Sequence, residues 1–354
     1  MKPLRAVVVE DLDPATVTQL LDERYPGVRV VDVELVERHE LTNSHARLRL
    51  AYEAPVGAPE VVFAKLPPSE PERRRTINAT GMGRKEALFY GTLASSLALR
   101  TPVVHAAAHA DDGGFALLLE DLPTSGCTTP DGTVGVSPDA AAVALEELAA
   151  MHSRYESPDA RPSWVEPAGP GSNYAVDMLR FGIEHHRDRL RDAFVAVAER
   201  YCERRLDLQR LWHAGRQTVV HGDPHLGNVF DDHGRVGFLD WGIIMVSTPM
   251  RDVSYFLTMS MDVEARRAHE RDLLAHYVDV RAKFGGSPMD LDDVWLQHRI
   301  QSAYTVPASC QVVLFPPDAT EQRRIFSEAF LARSMAAVED LEALDALAQS
   351  GVSS

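Results

Sequence analysis

The stretch Val220-His221-Gly222-Asp223-Pro224-His225-Leu226-Gly227-Asn228-Val229-Phe230, followed by Phe238-Leu239-Asp240-Trp241-Gly242, decides the reading of this chain. Asp223 and Asn228 stand five apart on a short loop behind an apolar run. Asp240 ends a second apolar strand after the turn Asp231-Asp232-His233-Gly234. One carboxylate is placed to accept or orient the proton of an attacking hydroxyl, while an amide oxygen and a second carboxylate are placed to hold Mg²⁺ against nucleotide phosphates. This set of groups, in this order, is what phosphoryl transfer requires. A surface turn rich in Asp and Gly would use the same residue types, but it would not bring the further elements described below.

The Asp-x-x-x-x-Asn spacing with a later metal-binding Asp is that of the protein-kinase catalytic loop. His-Gly-Asp in place of His-Arg-Asp and Asp-Trp-Gly in place of Asp-Phe-Gly resemble the aminoglycoside-phosphotransferase-like kinases. The longer pattern from Leu118-Leu119-Glu120-Asp121-Leu122 to Arg251-Asp252-Val253-Ser254-Tyr255-Phe256-Leu257 is most similar to the ecdysteroid-kinase-like branch and its bacterial relatives. The resemblance runs over roughly residues 30 to 305. It implies an α+β, protein-kinase-like two-lobed fold with a small antiparallel β-sheet N-lobe and a larger helical C-lobe.

Composition bounds the reading. The 354 residues allow one large domain or two lobes, and an apolar fraction of 45% suits a packed core. No run reaches membrane-span length, and Met1-Lys2-Pro3-Leu4-Arg5 lacks the apolar stretch of a signal peptide, so a soluble, cytoplasmic protein is expected. Cys127, Cys202 and Cys310 are odd in number, without metal-site spacing, and read as reduced thiols. A net charge of −16, from 52 acidic and 36 basic residues, argues against a nucleic-acid partner. Arg73-Arg74-Arg75 reads as a solvated face.

Along the N-terminal part, Ala6-Val7-Val8-Val9 is strand-like, and Asp13-Pro14 starts a helix that ends near Tyr25-Pro26-Gly27. Alternating, β-branched runs at 28–36, 46–52 and 61–65 predict an antiparallel sheet. Between the first two, Leu41-Thr42-Asn43-Ser44-His45 occupies the place of a phosphate-covering loop. It departs from the kinase pattern, since no glycine occurs between Glu34 and Tyr52. The side chains of Thr42, Asn43 and Ser44 are candidates to help there; a plain hairpin turn fits as well. Lys65 ends the third strand, where the resemblance implies a lysine for the α- and β-phosphates, and Glu86 matches the helix glutamate that positions it. That helix opens at Gly83 and carries apolar spacing through Leu97 and Leu99. The buried run 115–119 leads into Glu120, Asp121 and Leu122, the hinge whose main chain would read the adenine edge.

Farther on, Ser137-Pro138-Asp139 starts a long helix with Val143, Leu145, Leu148, Ala149 and Met151 on its apolar face and His152 as a packing residue. Residues 157–172 form a loop, 178–210 are helical, and 262–284, 290–304 and 320–348 read as amphipathic helices before a disordered tail, 350–354. The N-lobe is expected over 1–121 and the C-lobe over 122–349. By the resemblance, Asp252 braces the catalytic loop beneath His221 and Asp223, and His221 packs and orients; His225 lies where it could touch the acceptor. ATP and Mg²⁺ would bind in the cleft, with Asn228 and Asp240 as metal ligands. The expected function is O-phosphotransfer to a hydroxyl of a small molecule, a neutral or weakly charged alcohol. A protein acceptor is disfavoured, because no Ala-Pro-Glu anchor follows Asp240. One alternative is an antibiotic phosphotransferase whose cationic acceptor is drawn by acidic groups such as Asp290, Asp292 and Asp293. Another is a nucleotide-binding pseudokinase with a regulatory role. No nucleic acid or membrane partner is expected.

Overall fold

Asp13 begins the ordered chain as the sequence predicts: its carboxylate accepts the Thr16 N–H at 2.7 Å and Pro14 opens α1 (Pro14–Leu21). In this computed structural model, residues 8–54, 57–130 and 132–352 are described. The strand expected at Ala6–Val9 does not form where it can be seen. Val9–Asp11 is a single 3-10 turn, closed by the Asp11 carboxylate accepting the Val8 N–H at 3.0 Å, a local bond that competes with strand pairing. Ala6 and Val7 lie outside the described residues.

The chain divides into two compact units, Met1–Thr128 with Gly237–Ile244, and Thr129–Val236 with Met245–Ser354. The first is built on β1 (Val30–Glu40), β2 (Ser44–Tyr52) and β3 (Val61–Leu66), then α2 (Pro71–Ala79), α3 (Met82–Thr92), β4 (Val104–His109) and β5 (Phe115–Glu120). These strands form one antiparallel sheet in the order β1-β2-β3-β5-β4, with β3 in the middle. Alternation in β2 sends Ala46, Leu48 and Leu50 into a core with Val62, Ala64, Leu66, Ala116 and Leu118. Helix α3 stops at Thr92, where a 3-10 turn over Ala94–Ser96 takes over, so Leu97 and Leu99 do not extend it. Helix α2 was not expected. It buries no residue, so no hydrophobic period marks it, and the triple arginine rides on it.

The second unit opens with α4 (Pro138–Arg154), capped by Ser137 accepting the Ala140 N–H at 3.2 Å. Its buried stripe runs through Ala141, Leu145, Leu148 and His152; Val143, expected on it, is 40% exposed because two residues along a helix carry it to the opposite face. There follow α5 (Tyr174–His186), α6 (Asp192–Trp212), β6 (Thr218–Val220) and β7 (Val229–Asp232). The chain then passes through β8 (Arg235–Phe238) to the first unit and returns at β9 (Met245–Ser247), antiparallel to β6. His233 and Gly234 both take positive φ in the β7–β8 turn, as a two-residue hairpin demands. The remaining helices are α7 (Met250–Ser260), α8 (Val263–Lys283), α9 (Leu291–Ser302), α10 (Thr305–Ala308), α11 (Glu321–Asp340) and α12 (Ala343–Gln349). The helix expected over 320–348 breaks because Glu342 sits at φ 48°. The tail is held longer than expected: Val352 is buried and its carbonyl accepts from Arg200 at 2.9 Å, while Ser353 and Ser354 lie outside the described residues. No disulfide joins the three cysteines. Among the described residues no helix is long and apolar enough to cross a membrane.

A Cβ at Gly83 would lie 2.1 Å from ring carbons of the buried Phe115. Gly83→Ala should therefore overpack the α3–β5 contact and cost about 1–3 kcal/mol, read as a lower urea midpoint. An unchanged midpoint would show that the ring can move aside.

Candidate active site

In the first unit, β3 and α3 bring two charges together out of water. Lys65 Nζ lies 2.7 Å from Glu86 Oε2 and 3.2 Å from Asp240 Oδ1. Lys65 and Glu86 are buried, whereas the Asp240 side chain is 44% exposed. Burial pushes the Lys65 ammonium down, but Asp240 and Glu86 outweigh it and hold it above its ordinary range. Burial raises the Glu86 carboxyl against the pull of Lys65, and repulsion from Asp240 adds to the rise. With one ammonium and two carboxylates the cluster is short of positive charge on the side where Asp240 meets solvent. A divalent cation there fits the donor set: Mg²⁺ commonly takes one or two protein carboxylates and completes its shell with phosphate and water oxygens. Among the described residues no group of three or more His, Cys, Asp or Glu could hold a metal by itself, which accords with a shell of that mixed kind.

Asp240 is aimed by local strain and a ring stack. It sits at φ 55°, uncommon for a residue with a side chain. The next residue, Trp241, stacks on Phe89 of α3 at 3.8 Å between centroids and 7° between planes, and its backbone N–H donates to Glu86.

The other expected nucleotide contacts fare differently. Ser44 is fully buried and its hydroxyl is committed to Glu40 at 2.7 Å, which takes it out of the phosphate-binding set; the loop before it is a hairpin turn closed by Leu41 N–H to Asn43 O at 2.9 Å. The Glu120 carboxylate is held by both Arg100 nitrogens at 2.9 and 3.0 Å. Asp121 is held by Arg47 at 2.7 Å. The carbonyls of Asp121 and Leu122 accept the Ser125 N–H at 3.2 and 3.1 Å, so a base reading them would share them with this turn. A cavity of 700 Å³ in the same unit, lined by Arg24, Tyr90 and His105 among others, includes none of Lys65, Glu86 and Asp240; the site is defined by its chemistry.

In the second unit, α7 grips the loop after β6. All eleven of its residues are buried. Asp252 accepts the N–H groups of His221 at 2.7 Å and Gly222 at 2.8 Å, and His152 Nε2 lies 3.2 Å from it. Burial would raise this carboxyl, but His152 and the loop N–H groups hold it below its ordinary range. Arg251 donates to Gly222 O at 2.8 Å and Ser260 to Pro224 O at 3.0 Å. His221 is buried, and its Nδ1 accepts the Asp223 N–H at 3.1 Å. His152 packs as expected, its Nδ1 2.8 Å from the Tyr277 hydroxyl.

On the open side of this loop, Asn228 Nδ2 donates to Asp223 O and Oδ2, each at 3.0 Å. These bonds engage the Asn228 amide nitrogen and one carboxylate oxygen of Asp223, Oδ2. His225 Nδ1 accepts the Gly227 N–H at 3.0 Å, so the neutral ring carries its proton on Nε2, 3.5 Å from Asp223 Oδ2. Arg251 and Ser260 were not singled out in the sequence as supports. Arg251 stood in plain view beside Asp252, whereas a serine bonded to a distant carbonyl leaves no pattern to read.

The model of the phosphotransferase enzyme family matches residues 38–285. The chain belongs to that family, and is accordingly a small-molecule phosphotransferase acting on a hydroxyl acceptor. No curated protein matches the sequence. Among solved structures, a choline kinase from Streptococcus pneumoniae is 15% identical over 93% of this chain and 98% of its own, with a TM-score of 0.51. A GDP complex of a wild-type aminoglycoside 2'-phosphotransferase is 15% identical over 91% and 98%, with a TM-score of 0.50. These likenesses agree with a two-lobed kinase-like fold, in which the first unit supplies the sheet lobe and the second the helical lobe.

Asp252→Ala would orphan two buried loop N–H groups, and we expect it to cost about 3–5 kcal/mol, with Asp252→Asn milder because it keeps one acceptor oxygen. Denaturant unfolding of both variants checks this. Equal stability of the alanine variant and wild type would show that the loop is braced elsewhere.

Proposed function

For a member of this family, we propose transfer of the γ-phosphoryl group of ATP, with Mg²⁺, to a hydroxyl of a small neutral or weakly charged alcohol. The observation that carries this reading is Asp223: its backbone is fixed through the loop by Asp252, one carboxylate oxygen is held by Asn228, and the side chain stays 29% exposed. A carboxylate so fixed is a general base with one oxygen to offer.

The acceptor hydroxyl donates to Asp223 Oδ1. As its oxygen bonds to the γ-phosphorus, the bond from that phosphorus to the β,γ-bridging oxygen breaks and ADP leaves, while the hydroxyl proton passes to Asp223 and then to solvent. Lys65, kept charged by Glu86 and Asp240, neutralises the α- and β-phosphates. Mg²⁺, when bound, would be held by Asp240 and by Asn228 Oδ1 and would supply charge neutralisation on the phosphates. Glu120 to Leu122 offer main-chain groups to the base. His221 and Asp252 act through the loop they hold.

Asp223→Asn should lower turnover by about 10²–10⁴ while Mg-ATP still raises the melting temperature, and a variant retaining wild-type kcat would sink the assignment. In Asp240→Asn the stabilisation by Mg-ATP, worth about 2.7 kcal/mol at a hundred times Kd, should shrink sharply. A full shift in that variant would move the metal away from Asp240.

A further inference from the structure

We propose that Phe326 and Phe330, on a helix beyond the residues matched by the family, complete with His225 and Tyr255 a wall for the acceptor, and that this wall selects an alcohol with an apolar ring face over a polycationic one. The proposal rests on the reading of Asp223 as the base and specifies what lies beside it.

Phe326, Phe330 and Arg333 recur at i, i+4 and i+7, so they share one face of α11. Arg333, itself buried, clamps that face: its Nε donates to Met261 O at 2.9 Å, Nη1 to Gly132 O at 2.8 Å and Nη2 to Asp262 Oδ1 at 3.1 Å. The clamp sets Phe330 edge-on against His225, 5.2 Å between centroids at 89°. Tyr255 meets the same imidazole at 6.0 Å and 88°. The ring so enclosed is the one whose Nε2 lies 3.5 Å from the Asp223 carboxylate. Phe326 continues the wall: a Cβ on Gly227 would lie 2.9 Å from its Cζ, so this ring lies on the catalytic loop itself. Phe330 is buried, Phe326 is only half-buried, and Ile325 next to it in the chain is exposed. The rings thus run from a buried position beside the imidazole to a half-buried one on the loop.

The charges around it do not suit a polycation. Asp262 is paired with Arg333 and Glu328 with Arg189 at 3.0 Å. The start of α11 carries Arg323 and Arg324 beside Glu321. Asp290, the first of the carboxylates that could have drawn a cationic antibiotic, is spent as the cap of α9, accepting the N–H groups of Asp292 and Asp293. An alcohol laid against phenylalanine and tyrosine rings gains from area removed from water, whereas a polycation placed there would have the single Asp223 carboxylate to set against several desolvated ammonium groups.

The test is ADP release by the purified full chain with Mg-ATP and three acceptors: a hydroxysteroid, a macrolide and a polycationic aminocyclitol. We expect kcat/KM for the two ring-faced alcohols to exceed that for the aminocyclitol by about tenfold or more. In Phe326→Ala, KM for the ring-faced alcohol should rise about tenfold with a smaller change in kcat, the signature of lost ground-state binding, and Phe326→Leu should recover only part of it, leaving KM a few-fold above wild type. Should the alanine variant fail to fold, the leucine variant decides: a KM raised a few-fold supports the contact and an unchanged one refutes it. A preference for the aminocyclitol, or an unchanged KM in Phe326→Ala, overturns the acceptor class while leaving phosphotransfer intact. Absence of ADP release with every alcohol overturns phosphotransfer itself and this inference with it.

Discussion

A carboxylate with no access to solvent has to be met by fixed donors, and Asp252 is met by the loop it serves. Two successive N–H groups, from His221 and Gly222, point at one side chain. Gly222 permits this because it sits at φ 89°, a conformation that L side chains rarely adopt. His152 supplies a further donor, and it is itself fixed by Tyr277. The desolvation cost of a buried charge is offset only when its geometry is met in full, so the loop has little freedom once α7 is packed. Arg251 and Ser260 then take the carbonyls of Gly222 and Pro224. Donors and acceptors of the loop are thus assigned from one helix, and Asp223 follows from them.

The first unit solves the same problem with opposite charge. Lys65 is surrounded by two carboxylates, and neither partner is relaxed: Glu86 is raised by burial and Asp240 holds a left-handed backbone. Such strain persists only where the surroundings over-determine it. Here the Trp241–Phe89 stack and the Trp241 N–H bond to Glu86 do so. One unit therefore neutralises a buried anion with backbone dipoles and a histidine, and the other leaves an anion partly exposed beside a lysine. The second arrangement leaves Asp240 able to serve a cation.

What was legible in the sequence follows from this physics. The groups proposed to handle phosphate and proton lie in contiguous runs, so Asp223, Asn228 and Asp240 could be proposed from spacing, and Lys65 with Glu86 from strand and helix pattern. Strand β2 was legible because alternation survives where one face is buried, and β1 and β3 by their β-branched runs. Helix α2 was not, since it buries nothing. Ser44 was misread because a hydroxyl in a turn carries no sign of whether it faces a ligand or, as here, a neighbouring carboxylate. A single division after residue 121 has no means of expressing that Gly237–Ile244 belongs with the first unit. The extra turn at Val9–Asp11 was decided by one side-chain bond to the backbone.

The acceptor side was hidden for a different reason. Phe326, Phe330 and Tyr255 occupy apolar positions on helices, and hydrophobic spacing on a helix reads as core whether or not a ring ends beside a base. Their meaning depends on Arg333, whose contacts run to carbonyls of residues 132 and 261 far away in sequence. Backbone carbonyls are present at every residue, so a clamp onto them leaves no trace in residue identity. The part proposed to handle phosphate is therefore constrained by charges that must be matched residue by residue. The part proposed to hold the alcohol is constrained by packing, which many sequences satisfy, and its reading comes only from the rings placed against the loop.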